Sequence, residues 1–354
     1  MSLRLLSLRE RLRALGAKPE HEAQVLRAWA QCLPIGTRAR PVEHFLPLAL
    51  RNDLPTWQHD LDHLARLRSQ HEGEEGARLL VELADGQLVE SVLLLRDGLC
   101  VSTQVGCAVG CVFCMTGKDG LLRQLGSAEI VAQVVLARRL RPVKKVVFMG
   151  MGEPAHNLDN VLEAIQFLGQ EGNIGHKNLV FSTVGDERVF EALPRGPVKP
   201  ALALSLHTTK AALRAELLPR APQIPPAELV DRAEAYARAT GYPIQYQWTL
   251  IDGINDGPDE IEAAAALLRG KYAILNLIPY NSVDALPYRR PDMTAARAMA
   301  KRLCELGVLT KLRNSVGQDV DGGCGQLRAR AAGAIQAQRV EFRQRRESAT
   351  RRTV

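Results

Sequence analysis

Three cysteines in one loop constrain this chain more than any other feature. Cys107, Cys111 and Cys114 stand in a C-x3-C-x2-C arrangement within CVSTQVGCAVGCVFCMTGK, residues 100–118. Gly106 and Gly110 allow the backbone to fold back so that several thiolates face one point. A mononuclear zinc site needs a fourth protein ligand, and no second Cys or His pair follows at zinc-finger spacing. Three thiolates instead leave one corner of a [4Fe-4S] cubane without a protein ligand. An iron left open in this way can bind a small molecule, which is what a cluster used for chemistry requires. Phe113, beside the last ligand, adds an aromatic cover. Cys32 and Cys304 read as small buried hydrophobes.

The chain of 354 residues has room for one large domain and a small one. Seven cysteines are an odd number, and three are committed to one loop, so a disulfide framework is not expected and a reducing compartment fits. No run of 18 or more apolar residues occurs, and the opening MSLRLLSLRERLRALG has neither an apolar signal core nor a cleavage motif. The expectation is a cytoplasmic protein with no membrane partner. A formal charge of +7 points toward a polyanionic partner.

Residues 1–75 are expected to form a helical accessory domain. Leu5, Leu8, Leu12 and Leu15 recur at helical spacing, Pro19 opens a second segment through Trp29, and Trp57, Leu61, Leu64 and Leu67 stripe a third. Residues 76–99 alternate in strand fashion around an Asp85-Gly86 turn and read as a β-hairpin extension containing Glu90. From Cys100 to Leu327 the pattern becomes strand then helix, with apolar strands at Lys144–Met149, Asn178–Ser182, Ala201–Leu206, Ile244–Leu250, Ile274–Ile278 and Val308–Arg313. Continuous apolar runs separated by helical segments, such as those opening at Ser127 and Asn157, predict an α/β fold with a parallel sheet covered by helices. Six or seven such units fall short of an eight-stranded barrel. Residues 328–354 are expected to form a helical stretch followed by a tail with six arginines against two glutamates.

Polar and glycine-rich residues cluster at the carboxyl ends of these strands, where a barrel places its site. Gly152 and Glu153 follow one strand, Ser182 ends another, Ser205-Leu206-His207 ends a third, and Asn281 follows a fourth. Glycine lets a ligand approach the backbone, and glutamate can accept from an ammonium group. Cys324 sits in the glycine-rich run Asp321-Gly322-Gly323-Cys324-Gly325, which suits an accessible sulfur, and Cys100 precedes the first cluster cysteine by seven residues. Two cysteines outside the ligand triplet suggest covalent thiol chemistry or a redox pair, and spacing leaves both open.

The triplet with an aromatic before its third cysteine resembles the radical S-adenosylmethionine (SAM) superfamily. With Gln104-Val105-Gly106-Cys107, Met149-Gly150-Met151-Gly152-Glu153-Pro154, Ser205-Leu206-His207, Asn276-Leu277-Ile278-Pro279-Tyr280-Asn281 and Cys324-Gly325-Gln326-Leu327, the stretch from Asp85 to Leu327 is similar to the dual-specificity RNA methyltransferases that act on adenine ring carbons. The resemblance implies an incomplete (β/α)6-type radical SAM barrel whose open side faces a large substrate. It implies a [4Fe-4S] cluster on Cys107, Cys111 and Cys114, with SAM held by Gly152, Glu153, Ser182, Ser205, Leu206, His207 and Asn281. It also assigns Cys324 as the cysteine that is methylated, Cys100 as the one that resolves the protein–RNA adduct by forming a disulfide, and Glu90 as the general base.

The substrate implied is an adenosine of 23S ribosomal RNA, with transfer RNA as a further substrate in some members, methylated at C2. An electron donor such as flavodoxin is implied as a partner, and the helical lobe as an RNA-docking element. Val316 looks closer to a smaller group that modifies C8, and Tyr280 stands where tryptophan is frequent. A rival from another class is a radical SAM maturase acting on a protein partner.

Overall fold

The computed structural model describes residues 3–73, 76–282, 286–313 and Arg328; Cys324 and the basic tail lie outside the described residues. Helices α1 (Leu5–Ala14), α2 (Pro19–Gln31) and α3 (Leu48–His63) form the amino-terminal lobe. Three antiparallel strands follow, β1 (Ala65–Gly73), β2 (Gly76–Leu83) and β3 (Leu88–Leu94), then β4 (Gly98–Cys100). A two-stranded ribbon, β5 (Gln104–Gly106) with β6 (Leu121–Gln124), flanks the cysteine loop and leads into α4 (Ser127–Leu140). The rest alternates: β7 (Lys145–Phe148), α5 (Leu158–Gln170), β8 (Leu179–Thr183), α6 (Glu187–Ala192), β9 (Ala201–Ser205), α7 (Ala211–Leu217), α8 (Pro226–Thr240), β10 (Ile244–Leu250), α9 (Pro258–Leu268), β11 (Ala273–Pro279), α10 (Met293–Glu305) and β12 (Thr310–Leu312).

Ten strands form one sheet in the order β1-β2-β3-β4-β7-β8-β9-β10-β11-β12. Pairing is antiparallel from β1 to β4 and parallel from β4 to β12. Among the described residues β12 pairs with β11 alone and the sheet does not close, which is the incomplete α/β barrel that the resemblance implied. Strand β10 shows how the sequence sorts its faces. Ile244, Tyr246, Trp248 and Leu250 are buried, while Gln245, Gln247 and Thr249 alternate with them and line a central cavity. Apolar side chains thus hold the outer helices, and the polar set is left facing inward.

The expected helical stripe through Leu67 is not what forms. Helix α3 ends at His63, and Ala65–Gly73 is a strand paired with β2 along its length. The spacing from Leu64 to Leu67 spans the junction between helix and strand. Ladder hydrogen bonds to β2 outweigh the weak helical preference of RLRSQHEG. Cys32 and Cys304 also differ from expectation, since both are solvent-exposed.

The lobe is fastened to the barrel through polar contacts at the start of α1. The Ser127 hydroxyl accepts from the Leu5 amide at 2.8 Å and donates to Glu163 at 2.7 Å. Glu163 also accepts from the Leu6 amide at 2.9 Å and from Arg4 at 3.1 Å, so a side chain of α5 satisfies the open amino end of α1. Much of the lobe's basic charge is spent on carboxylates: Arg11 on Asp53 and Asp60, Arg13 on Glu22, Arg27 on Glu171. No helix among the described residues is long and apolar enough to cross a membrane. Glu163→Ala should lower the unfolding free energy by about 1–2 kcal/mol, measured by urea denaturation, with Arg4→Ala costing less.

Candidate active site

The cysteine loop is closed by backbone contacts that only glycine permits. Gly106 has φ 80, and a Cβ there would lie 2.1 Å from the Gly120 carbonyl oxygen, which accepts from the Cys107 amide at 2.9 Å. The Cys114 amide donates to the Cys111 carbonyl at 3.0 Å, so the second and third cysteines share one turn. Amides of Val109 and Gly110 donate to the Cys107 sulfur, while burial pushes its thiol up to about 11. Burial, then the neighbouring Cys114 and Cys107, raises Cys111 well above the ordinary thiol range.

This arrangement fits a cluster better than a single ion. Among the described residues no three Cys, His, Asp or Glu side chains converge tightly enough to hold one metal ion. In a cubane each cysteine binds a different iron, so its ligands stand further apart than those of a mononuclear site. All three cysteines nevertheless line one cavity of about 1010 Å3. Amides aimed at a ligand sulfur suit a thiolate bound to iron, since they compensate negative charge.

Beyond the cysteines the cavity is walled by the strand-end residues. Glu153 is fully enclosed, and burial pushes its carboxyl up to about 7 against hydrogen bonds from Thr183 and from the amides of Ala155 and Val184, the latter two at 3.1 Å. Its own amide donates to Gln104 Oε1 at 2.7 Å. Gly152 has φ 107, and a Cβ would fall 2.7 Å from the Gln104 side chain, so glycine is required for that contact.

His207 is held with φ 64, unusual for a residue with a side chain. Asn255, fully buried, donates to the His207 carbonyl at 2.7 Å and so over-determines the bend. The Thr249 amide donates to His207 Nδ1 at 3.0 Å, which places the ring proton on Nε2. Burial, helped by Arg214, pushes the imidazole down to about 3, so it is neutral. Phe113 packs edge-on against it at 5.1 Å and links the cysteine loop to β9. Ser182, Ser205 and Asn281 also line the cavity, whereas Leu206 is fully buried in the core and does not.

Glu90 and Cys100 line the same cavity from the antiparallel side. Arg78 pairs with Val92, and Val92 with Cys100, so Arg78 and Cys100 lie in one row across β2, β3 and β4, on one face. Arg78 Nη1 meets Glu90 Oε2 at 3.2 Å with both side chains buried, and the Arg328 amide donates to Glu90 Oε1 at 3.0 Å. Burial pushes the Cys100 thiol up to about 12; a Met149 backbone hydrogen bond and Arg78 oppose this, and Glu90 adds to it. Gln133, buried in α4, accepts from Ser91 and from the Ser102 amide, each at 2.9 Å, and Ser102 Oγ donates to the Glu90 carbonyl at 2.5 Å. The strand carrying Glu90 is thereby tied to the helix and to the loop after β7, whose Met151 amide donates to Ser102.

Comparison with known proteins accords with this geometry. The sequence profile of the Radical SAM superfamily matches residues 101–268. The chain is 73% identical over 343 residues to a probable RNA methyltransferase of Leptothrix cholodnii, covering 96% of this chain and 98% of that protein. It is equally identical over 329 residues to a probable RNA methyltransferase of an Azoarcus species, covering 93% and 95%. The crystal structure of a radical SAM methyltransferase from Sphaerobacter thermophilus superposes with a TM-score of 0.79 at 36% identity, covering 92% of this chain and 97% of that one.

The fold and the cysteine loop therefore define a radical SAM enzyme, whose cofactors are a [4Fe-4S] cluster and SAM. Within that superfamily the chain belongs to the family of the probable RNA methyltransferases it matches along nearly its full length.

Sequence reading placed Gln104 in a motif without giving it a role, and missed Arg78, Gln133 and Asn255. Arg78 had a signal, being a single cation inside the apolar run ARLLV. Gln133 and Asn255 had none, because their roles depend on which backbone groups tertiary packing brings to them. Arg78→Met removes the guanidinium facing a buried carboxylate and should cost about 3–5 kcal/mol of unfolding free energy by chemical denaturation. Arg78→Lys should lose less than half of that, and equal losses would show that charge is not what the pair supplies.

Proposed function

We propose that this protein methylates an adenine ring carbon in RNA, C2 before C8, with ribosomal RNA as the first substrate to test and transfer RNA as the second. One observation carries the reading. A single cavity holds the three cluster cysteines at one end and Glu90, Arg78 and Cys100 along its wall. The Arg328 amide donates to Glu90 on the same wall, and Cys324 is four residues earlier in the sequence. The similar proteins named as probable RNA methyltransferases give independent support.

When bound, the cluster and SAM supply one-electron cleavage chemistry and a methyl group. The chain's own residues then divide the work. Cys107, Cys111 and Cys114 hold the cluster. Glu153 would accept from the ammonium of SAM, Gly152 would let the cofactor approach the backbone, and Ser182, Ser205, neutral His207 and Asn281 would hold its adenosine, with Leu206 contributing backbone groups. Cys324 carries the methyl carbon to the adenine. Glu90 takes the proton from the substituted ring carbon, and Cys100 frees the product by joining Cys324 in a disulfide. A resting Cys100 thiol pushed up to about 12 keeps that attack from running early, because thiolate is the nucleophile. The target base must enter unpaired, since a base within a duplex cannot reach an enclosed cavity.

Two measurements test this. A carboxylate binds an ammonium and a carboxylic acid does not, so with Glu153 near 7 the affinity of cluster-loaded protein for SAM should rise about tenfold per pH unit on approaching pH 7 and level off above it. Glu153→Gln should flatten that profile and weaken binding at pH 8. For the reaction itself, reconstituted protein would be given SAM, a reductant and separate pools of unmodified ribosomal and transfer RNA under anaerobic conditions. Mass spectrometry of digested RNA should show 2-methyladenosine that disappears with Cys324→Ala. An 8-methyladenosine product would reassign the carbon, and cofactor cleavage without any methylated nucleoside would sink the RNA reading for these pools.

A further inference from the structure

The cavity does not end at Cys100. Cys100 pairs with Val147, and one row further toward the amino ends of the strands Gly98 pairs with Lys145, whose side chain lines the same cavity. Arg96, Lys311 and Arg313 line it too. Strand β12 carries Lys311 and ends beside Arg313, at the edge where the barrel fails to close. Arg96 belongs to the turn before β4, the first parallel strand, and Lys145 to β7 beside it. The four thus line one part of the cavity, Lys311 and Arg313 from the β12 edge of the sheet and Arg96 and Lys145 from the side of β4 and β7.

Nothing anionic in the described structure answers them. None of the four forms an ion pair among the described residues, and Arg313 is held only by Asn276, whose Oδ1 accepts from its Nε at 2.8 Å. The nearby carboxylates are spent elsewhere: Asp97 on Lys144 at 2.8 Å and Glu90 on Arg78 at 3.2 Å. Burial and the charges of Arg313 and Lys311 lower Lys145, and burial and Arg96 lower Arg313, so the four are close enough to repel. Arg96 stands at φ 55, a left-handed turn position where Gly or Asn is the easier residue. Turn geometry does not explain an arginine there. Mutually repelling cations, with no anionic partner among the described residues, gather along one cavity, three of them exposed and Lys145 half-buried. Such an arrangement is suited to a ligand that brings several negative charges.

We propose that Lys145, Lys311, Arg313 and Arg96 form the phosphate-binding rim of the substrate channel. In this inference, the sugar-phosphate strand flanking the target adenosine enters through the gap beside β12, and its phosphates contact these four side chains while the base reaches Cys100 and Glu90. The inference rests on the RNA reading above and adds where the strand lies. Two rows of one strand are about 7 Å apart, so the rim is next to the reactive row. Phosphate contacts of this kind position the strand without reading its sequence.

The test is equilibrium binding of an unmodified single-stranded RNA that contains adenosine to the cluster-loaded full chain, over a range of KCl concentrations. Lys145→Gln, Lys311→Gln and Arg96→Gln should each weaken binding several-fold at moderate salt. Each should reduce the slope of log K against log salt by roughly 0.7, and the triple variant by the sum. Neutralising a repelling cation should also leave the melting temperature of the free protein unchanged or raise it, which a structural role for the lysines would not do.

An unchanged affinity and slope in a folded triple variant overturns the inference while leaving the RNA reading standing. Equal weakening for RNA and for polyglutamate also overturns it, because the rim would then be a general anion sink. If the unsubstituted protein binds this RNA no better than polyglutamate, the RNA reading itself fails.

Discussion

Pairing of Val92 with Cys100, and of Cys100 with Val147, joins an antiparallel hairpin to a parallel sheet in a single register. Everything chemical on the hairpin side depends on that join. Side chains directly opposite across paired strands share a face, so Arg78 and Cys100 are delivered to the wall of a cavity whose other residues come from the parallel strands. A slip of one residue at β4 would turn Cys100 outward and point Leu99 into the cavity. Gln133 and Ser102 guard against that slip, because their buried hydrogen bonds tie β3 to α4 and to the loop after β7.

The cavity separates two electrostatic regimes within one fold. Near the cysteines, burial opposes charge: Glu153 is pushed up to about 7, His207 down to about 3, and the cluster thiols upward. Such a region waits for a charged cofactor to complete it. Where Lys145, Lys311, Arg313 and Arg96 line the cavity, cations accumulate instead, with no carboxylate partner among the described residues. An apolar middle layer of Val147, Val180, Ala201 and Ala203, packed with Cys100, lies between them. Cys100 belongs to that layer, and burial there pushes its thiol up to about 12.

Much of this was legible beforehand, and the reason differs by element. Parallel strands such as β7, β8 and β9 could be read because their sequences are nearly continuous apolar runs, whereas β10 alternates apolar residues with the polar ones that line the cavity. The hairpin could be read from alternation around Asp85-Gly86. The cysteine triplet and the strand-end Gly152-Glu153, Ser182 and Ser205-Leu206-His207 are local in sequence, and all but Leu206, whose side chain belongs to the core, line the cavity. Strand β1 was misread because its partner β2, and not its own pattern, decides that Ala65–Gly73 is extended.

The sequence by itself determined the cofactor class, since the ligand set is contiguous and thiolate chemistry follows from residue type. It also determined the order of strands and helices and most of the polar residues at their ends. Tertiary structure alone decided that Arg78 faces Glu90, that Asn255 bends the chain at His207, and that Lys145, Lys311, Arg313 and Arg96 converge on one opening. Arg78 and Glu90 are 12 positions apart and Asn255 and His207 are 48 apart along the chain. Their proximity comes from sheet register and from the failure of the barrel to close, and no local propensity encodes either.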